Sequence, residues 1–272
     1  MSDPVPSRSC LVLRLAGPLQ SWGSQSRFNR RDTDPTPTKS GVVGLLAAAD
    51  GRRRGDYILD LVRLRLGVRV DQPGTPLRDY HTVSDFRGVR LLSADVDASG
   101  RQKRTKDKFT AVTQRFYLQD AVFVAIVEGD ASLISGLAEA VAQPAFPLAL
   151  GRRCCVPSQP LVIRPLERPG LTWSDPLELV LSSVPWQASQ SHRRALRRQS
   201  GVGPMIRLAA TFDSDEAADS RADVPLSFAH RERAFTTRRV RHEWFEVATG
   251  FDGHETSGSP TTSHDPFALL GW

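Results

Sequence analysis

Tyr80 and His81 are adjacent residues whose side chains could support catalysis. A histidine can act as the general base in metal-independent RNA cleavage, with a tyrosine and a lysine in support. Adjacent residues of a β-strand point to opposite faces, however, so this pair would not converge on a strand. The six histidines are scattered, and the sequence contains no HExxH, HxxxH or GxSxG motif. The sequence therefore favours binding over catalysis and predicts neither a metal nor a cofactor.

Three basic segments contain the residue types that bind phosphate. Lys39-Ser40-Gly41 stands where a helix is predicted to begin, and free N–H groups at a helix start attract anions. The run Arg101–Lys108 carries five positive residues and one negative, a density suited to backbone phosphates. Gly151-Arg152-Arg153 follows an apolar segment and places an arginine pair at a strand end. Helix capping, a solvated loop and a surface pair are the respective structural alternatives.

Two further features allow more than one interpretation. Trp22 follows the first strand beside a turn, where it could stack on a base or cover the edge of the core. The segment His192–Arg198 contains two arginine pairs with a spacing of four residues. A helix there would have a basic face without an acidic partner, which is repulsive unless an anion is present. Disorder is the alternative for this segment.

The elements around these residues are predicted in the order β-α-β-insertion-β-α-β. Residues 79–115 are polar, basic and poor in core residues, which is typical of an insertion. This is the ferredoxin-like or RRM-like order, whose four-stranded sheet leaves one face free for RNA. The predicted elements are strands at 10–16, 62–70 and 116–127, helices from Thr38 or Ser40 to about Asp50 and at 131–142, and a short apolar segment at Phe146–Leu150.

The rest of the chain is less regular. Strands are predicted at 177–182, 205–211 and 239–247, with Arg-rich or Ser/Asp-rich loops at 187–201 and 213–223. The Gly-, Ser- and Thr-rich tail is predicted to be mobile. The sequence thus predicts an α+β protein with a ferredoxin-like or RRM-like domain at 1–165, including an insertion at about 79–115, a smaller β-rich C-terminal region at 166–249, and a tail at 250–272.

The composition favours a nucleic-acid partner. The chain of 272 residues has a net charge of +6 and a pI of about 9.7, and its hydrophobic fraction of 40% supports a folded core. Most of the charge is arginine, whose planar fork fits phosphate and stacks on bases. Three cysteines without CxxC spacing predict neither a disulfide framework nor a zinc site. With no signal peptide and no apolar run of about 20 residues, the sequence predicts a soluble cytoplasmic protein without membrane contact.

Several motifs occur in a fixed order and cover most of the first 165 residues. They are Leu13–Gly23, Pro37–Leu46, Leu77–Val83, Arg115–Ala121, Leu150–Cys154 and, more weakly, Arg239–Val247. The ordered set, rather than any single motif, resembles the CasD family, subunits of type I-E CRISPR Cascade complexes within the RAMP superfamily. Residues 187–225 match no motif of that family.

The resemblance implies an RRM-like domain whose insertion is a protruding β-hairpin thumb. It also implies a non-catalytic subunit that caps one end of a ribonucleoprotein complex and binds the 5′ handle of the CRISPR RNA. Its implied neighbours are the CasC backbone subunit and the CasA large subunit, and target DNA is met indirectly through the complex during antiviral defence. In type I-E systems a separate CasE subunit cuts the precursor RNA, whereas a related type I-C protein cuts RNA itself.

Residue types and resemblance together predict a set of RNA contacts. Phosphate or base contacts are expected from Trp22, Arg27, Lys39, Ser40, Arg104, Lys108, Arg115, Arg152 and Arg153. Stacking on bases, or wedging between them, is expected from Tyr80, His81 and Phe109. Two alternatives stay open: a metal-independent endoribonuclease that processes repeat RNA, and a scaffold whose basic patches meet acidic protein faces.

Overall fold

The structure is a computed structural model that describes residues 7–23, 26–27, 30–84, 110–166, 169–198, 203–229 and 233–251. Within these ranges the strands are β1 (Arg8–Ala16), β2 (Leu19–Gln20), β3 (Ser26–Arg27), β4 (Arg30–Arg31), β5 (Arg65–Gln72), β6 (Thr75–Ser84), β7 (Thr110–Gln119), β8 (Val122–Asp130), β9 (Thr172–Trp173), β10 (Met205–Asp213), β11 (Asp219–Ser227) and β12 (Ala234–Ala248). The helices are α1 (Lys39–Ala49), α2 (Leu59–Val62), α3 (Ala131–Ala142), α4 (Leu177–Ser183) and α5 (Gln190–Arg198).

Seven strands form the main sheet, in the order β11-β12-β10-β5-β8-β1-β9. β1 pairs antiparallel with β8 along its whole length, from Arg8 opposite Asp130 to Ala16 opposite Val122. β5 lies on the other side of β8, and β10 pairs antiparallel with β5. The β-rich C-terminal region is therefore joined by ladder hydrogen bonds to the sheet of the N-terminal region.

The core lies on both faces of this sheet, because successive side chains of a strand point to opposite sides. Leu11, Leu13 and Leu15 are fully buried in the cluster that α1 and α3 complete. Cys10 and Val12 are fully buried on the opposite face, in the cluster that α4 completes. Each fully buried leucine or valine contributes roughly 1.5–3 kcal/mol by leaving water. The sheet is thereby fixed from both sides and positions the loops at its ends.

The helices α1 and α3 confirm two predictions from the sequence. The side chain of Thr38 accepts a hydrogen bond from the backbone N–H of Gly41 and caps α1, as expected. The Asp130 carboxylate accepts bonds from the backbone N–H groups of Ser132 and Leu133 and caps α3. Both helices begin where a side-chain oxygen satisfies backbone donors that have no partner within the helix.

The strand predicted at 116–127 is divided in two at Asp120, where the chain passes from one sheet into another. Asp120 has a φ of 55°, a left-handed conformation that aspartate tolerates better than most residues. The result is two strands: β8 lies in the main sheet, and β7 lies in a second sheet with β2, β3, β4 and β6. β6 and β7 pair from Thr75 opposite Gln119 to Ser84 opposite Thr110. The ends of the predicted insertion are thus a long antiparallel ladder.

The strand predicted at 177–182 is also wrong, since this segment is α4. Leu177, Val180 and Leu181 are fully buried and recur at helical spacing, whereas Leu179 is exposed. The burial of this segment has the period of a helix.

Phe146–Leu150 is not the last strand of the first domain. Pro147 within it has no N–H to donate to a ladder. The position beside β1 is taken instead by β9 and by an isolated bridge from Leu13 to Val162. The Phe146–Leu150 segment lies over α1, where the backbone N–H of Ala145 bonds the carbonyl of Ala49.

The C-terminal predictions are confirmed in part. Strands were expected at 205–211 and 239–247, and β10 and β12 contain them. The expected loop at 213–223 instead contains most of β11, a strand at the edge of the main sheet with irregular pairing to β12. The Arg-rich segment within 187–201 forms α5. Of the expected mobile tail, residues 252–272 lie outside the described residues.

Among the described residues, no helix is both long and apolar enough to cross a membrane.

Candidate nucleic-acid interface

A cleft of about 980 Å³ lies between α1 and the segment 146–156. We call it the arginine cleft, because six arginines border it and Asp32 is the only carboxylate among its described lining residues. This imbalance makes the cleft strongly electropositive and suited to a polyanion. The lining arginines are Arg52, Arg53, Arg54, Arg152, Arg153 and Arg233.

Two of these arginines hold the walls together. Arg52 donates to both oxygens of Asp60 at 2.5 and 2.6 Å, and these bonds raise the pKa of the guanidinium and lower that of the carboxyl. Arg152 donates to the carbonyl oxygens of Phe116 and Arg31 at 3.0 and 2.6 Å. The predicted Arg152 contact to RNA therefore competes with a structural role that ties the cleft to β7 and β4.

The other four arginines are exposed to solvent. They are Arg53, Arg54, Arg153 and Arg233. The backbone N–H of Arg53 donates to Asp56, and its guanidinium makes no hydrogen bond with a described residue. Exposed guanidinium groups around one concave surface can bind successive phosphates of a backbone. Arg153, predicted from the sequence, belongs to this set, and its contact to RNA stays a prediction.

Gly151 packs closely against Ser21 just before the arginine pair Arg152 and Arg153. Its φ is +89°, and a Cβ added there would lie 1.8 Å from the carbonyl oxygen of Ser21. The Ser21 N–H also donates a hydrogen bond to the Leu150 carbonyl at 3.1 Å, which holds these two segments together. Only glycine fits this close approach, so it fixes where Arg152 and Arg153 begin.

We expect Gly151→Ala to destabilise the fold by more than about 1–3 kcal/mol, the cost of a strained backbone alone, because the methyl group also collides with Ser21. Gly136→Ala is the matched control, since its Cβ meets nothing within 4 Å in α3. That variant should gain about 0.5–1 kcal/mol. Urea unfolding measures both; equal stability of Gly151→Ala and the wild type would contradict the close approach.

A second basic surface lies on the ladder of β6 and β7. Because side chains alternate, Arg78, Tyr80, Gln114 and Phe116 share one side of the ladder. Tyr80 is 70% exposed, and the Arg30 guanidinium lies 4.7 Å from the centre of the Phe116 ring. We call these five residues the hairpin face. Exposed aromatic rings beside arginines provide stacking platforms for unpaired bases.

The hairpin face and the arginine cleft are neighbours. Arg30 donates to the Asp32 carboxylate at 2.8 Å, and Asp32 lines the cleft. Arg152 also connects the two, through its bond to the Phe116 carbonyl. A strand of nucleic acid in the cleft could therefore continue onto the hairpin face.

Tyr80 and His81 lie on opposite faces of β6, as the strand alternation predicted. The His81 Nδ1 lies 3.6 Å from the Asp79 carboxylate. Arg115 lies across the ladder from Asp79 and beside Arg31, and is half-buried. Contacts of these residues to RNA stay predictions.

Trp22 cannot stack on a base as predicted, because its side chain is 1% exposed. Its indole N–H donates to the Gln20 side chain at 3.0 Å, and its ring lies directly against Gly41. The alternative, a tryptophan at the edge of the core, is correct.

At the predicted anion site the protein itself supplies the anion for Lys39, whereas Ser40 lines the arginine cleft and its contact to RNA stays a prediction. Both residues are buried, the Lys39 backbone N–H donates to Asp223, and its ammonium pairs with Asp213, each at 2.9 Å. Burial alone would raise the pKa of Asp223, but its bonds from Arg238 lower the pKa overall, which keeps the carboxylate charged. The helix start thus attracts an anion as expected, but the anion is a carboxylate from β11.

Other predicted contacts fall outside what the structure describes. Arg104, Lys108 and Phe109 lie in the range 85–109, and Arg27 belongs to β3 without a described side chain. Sequence reasoning missed Arg53, Arg54 and Arg233. The run Arg52-Arg53-Arg54 directly after α1 was a visible signal, whereas Arg233 is distant in sequence and gave none.

Comparison with known proteins identifies the family of the chain. Residues 10–241 match the family described as CRISPR-associated protein (Cas_Cas5). The chain belongs to this Cas5 family. The match includes α5 and every arginine of the arginine cleft.

Relatives support the same assignment. The chain is 34% identical over 196 residues to the CRISPR system Cascade subunit CasD of Escherichia coli (strain K12), covering 65% of this chain and 78% of that protein. A chain of a solved CRISPR RNA-guided surveillance complex superposes with a TM-score of 0.65 at 33% identity, covering 88% of this chain and 91% of that one. A crystal structure of a Cas protein gives 0.60 at 35% identity, covering 87% and 94%.

Proposed function

We propose that this chain is a non-catalytic subunit of a type I-E CRISPR surveillance complex that binds and caps the 5′ handle of the CRISPR RNA. Membership of the Cas5 family supports a role in CRISPR defence. Likeness to the Cascade subunit CasD and to a chain of an RNA-guided surveillance complex supports assembly with RNA and other subunits. In this proposal the neighbours are the CasC and CasA subunits, and target DNA is reached through the assembled complex.

The single observation that carries the proposal is the arginine cleft. Four exposed guanidinium groups surround a concavity with one described carboxylate, and a basic, aromatic ladder adjoins it. Arginine forks bind phosphate with charge-assisted hydrogen bonds, whereas the exposed Tyr80 and the Phe116 ring beside Arg30 offer surfaces for unstacked bases. This combination suits a single-stranded RNA with splayed bases better than a small ligand.

The sheet order supports the RRM-like part of the proposal. β9-β1-β8-β5 is a four-stranded antiparallel segment, with α1 following β1 and α3 following β8. That is the arrangement of a ferredoxin-like domain, in which the first strand lies centrally beside the third. The β6–β7 ladder inserted before β8 then corresponds to the proposed thumb.

The non-catalytic part of the proposal rests on the ladder geometry. A general base and a supporting tyrosine must reach the same reacting group. Tyr80 and His81 lie on opposite faces of β6, so one RNA phosphate would meet only one of them there. We therefore assign Tyr80 to stacking rather than to acid–base chemistry.

Binding of handle RNA should fall steeply with salt. Four phosphate contacts predict a slope of about −2.8 in log K against log salt, or about 50-fold weaker binding between 50 and 200 mM. Fluorescence anisotropy with labelled handle RNA measures this, and unfolding in the same buffers controls for loss of structure. A change of less than about twofold would contradict the electrostatic account.

A further inference from the structure

A second basic cleft shares no lining residue with the arginine cleft. It measures about 720 Å³ and is bordered by the turn after β1, by the turn between β7 and β8, and by the segment Pro185–Ser191 that leads into α5. Two arginines from distant parts of the chain, Arg14 of β1 and Arg193 of α5, line it. Asp120 is the only carboxylate among its described lining residues.

Arg14 is an arginine without a carboxylate partner in the described structure. Its Nε is buried and makes no hydrogen bond, while its Nη1 donates to the side chain of Gln159. Burial lowers the pKa of this guanidinium. The charge of this partly buried guanidinium has no carboxylate to balance it, and an anion bound in the cleft would balance it.

Arg193, like Arg14, is a partly buried arginine. Its Nε donates to the Ala188 carbonyl at 3.1 Å, and its guanidinium lies 4.9 Å from the centre of the Trp186 ring. Burial lowers its pKa, and the charge of Asp71 only partly opposes this effect. Asp71 itself is held by Arg69 in a buried pair. Two arginines therefore border one cleft with little negative charge to balance them.

α5 extends this positive surface to solvent. The helix contains four arginines and no acidic residue, and Leu196 packs its inner side against the cluster around Trp186. Arg194 and Arg198 are exposed and lie four residues apart on one side. Like charges at this spacing cost about 0.2–0.5 kcal/mol in an isolated helix. A protein keeps such repulsion more readily where an anion offsets it.

The remaining lining groups suit phosphate oxygens. The side-chain amide of Gln190 borders the cleft and makes no hydrogen bond with a described residue, whereas the Ser158 hydroxyl and the Gln187 amide donate to the carbonyls of Ala16 and Pro185. Such neutral donors accompany arginine wherever proteins bind a nucleic-acid backbone. An open, polar cleft continuous with a basic helix fits an extended polyanion better than an enclosed small ligand.

We propose that the second cleft and α5 form a binding site for the phosphodiester backbone of a nucleic acid, separate from the handle site. Arg14 and Arg193 bind a phosphate inside the cleft, and Arg194 and Arg198 bind neighbouring phosphates along the helix. The strand is either a further stretch of the guide RNA or a DNA strand. The site is independent of the first cleft, because no residue lines both.

The test measures binding of a second nucleic acid to full-length protein already saturated with unlabelled handle RNA. Labelled spacer RNA and labelled DNA duplex are titrated in separate arms at several salt concentrations. Arg194→Gln/Arg198→Gln should weaken at least one arm and reduce its log–log salt slope by about 1.4 for single-stranded RNA or about 1.8 for duplex. Arg14→Gln, inside the cleft, should weaken the same arm. The control variant Arg63→Gln/Arg241→Gln removes equal charge outside both clefts. It should leave the affinities for spacer RNA and for DNA duplex unchanged.

The outcome separates the two sources and the two proposals. If the variant loses affinity for spacer RNA alone, the bound strand is guide RNA. If it loses affinity for the DNA duplex, the bound strand is DNA. Unchanged affinity and slope in both arms for folded Arg194→Gln/Arg198→Gln would overturn the site and leave α5 to an acidic protein surface. If wild-type protein binds no handle RNA, the proposed function fails, whereas both arms without handle RNA still test this second site.

Discussion

Neutralising two exposed arginines of the arginine cleft, in Arg54→Gln/Arg153→Gln, is expected to weaken handle RNA binding by about 10²-fold or more. Each charge-assisted bond to phosphate contributes about 1.5–3 kcal/mol, and every 1.4 kcal/mol is tenfold in affinity. Both side chains are exposed and make no hydrogen bond or ion pair with a described residue, so the fold should persist. Fluorescence anisotropy at fixed salt measures the loss.

The same variant should reduce the log–log salt slope by about 1.4, because two phosphate contacts are lost. Arg63→Gln/Arg241→Gln provides the matched control, since it removes the same charge from exposed positions outside the cleft. If the control weakens binding as much as the cleft variant, net charge rather than the cleft determines affinity. That result would contradict the assignment of the cleft.

Replacing Asp71 by alanine is expected to destabilise the protein by about 3–5 kcal/mol, the usual effect of leaving a buried partner unpaired. Arg69 and Asp71 are 0% and 1% exposed. Arg69 donates to both Asp71 oxygens and to the carbonyls of Leu181 and Val184. Asp71 in turn accepts a bond from the Gln187 backbone N–H at 2.6 Å. Urea unfolding followed by tryptophan fluorescence measures the change, since Trp186 bonds the Asp71 carbonyl.

Two controls define what the buried pair contributes. Arg69→Met/Asp71→Ala should be less destabilised than Asp71→Ala alone, because no charge is then left buried without a partner. Glu243→Ala removes an exposed pair with Arg241 and should cost less than about 1 kcal/mol. A change below about 1 kcal/mol for Asp71→Ala would mean that the pair does not hold α4 and the following segment on the sheet.

The sequence predicted the elements whose signals are local. α1 has a capping threonine and α3 has a capping aspartate before a helical apolar pattern, and both were located correctly. β1 was found because a short apolar run ends at a turn. The order of motifs also led to the right family, since order along the chain is a property of sequence alone.

Errors arose where tertiary packing overrides local pattern. For the segment predicted as a strand at 177–182, the packing of Leu177, Val180 and Leu181 against the sheet shows a helical period. The turn at Asp120 was missed because apolar residues lie on both sides of it, in strands of two different sheets. A single apolar run can therefore hide a division into two strands of different sheets.

The candidate site was predicted only in part for the same reason. Lys39 has the residue type and position expected of a phosphate contact. Its ammonium and backbone N–H are instead bonded to Asp213 and Asp223, which lie far along the chain. Trp22 became a core residue because Gly41 lets its ring approach α1. The arginines of the arginine cleft come from positions 52 to 233, and such convergence cannot be read from local spacing.

The most direct test of the central claim is to incubate the full-length protein with end-labelled CRISPR repeat RNA in EDTA. Products are resolved on a denaturing gel, and binding is followed on a parallel native gel. The account predicts intact RNA on the first gel and a shifted band on the second, with the shift lost in Arg54→Gln/Arg153→Gln. A discrete cut that His81→Ala abolishes would contradict it and make the protein the processing endoribonuclease.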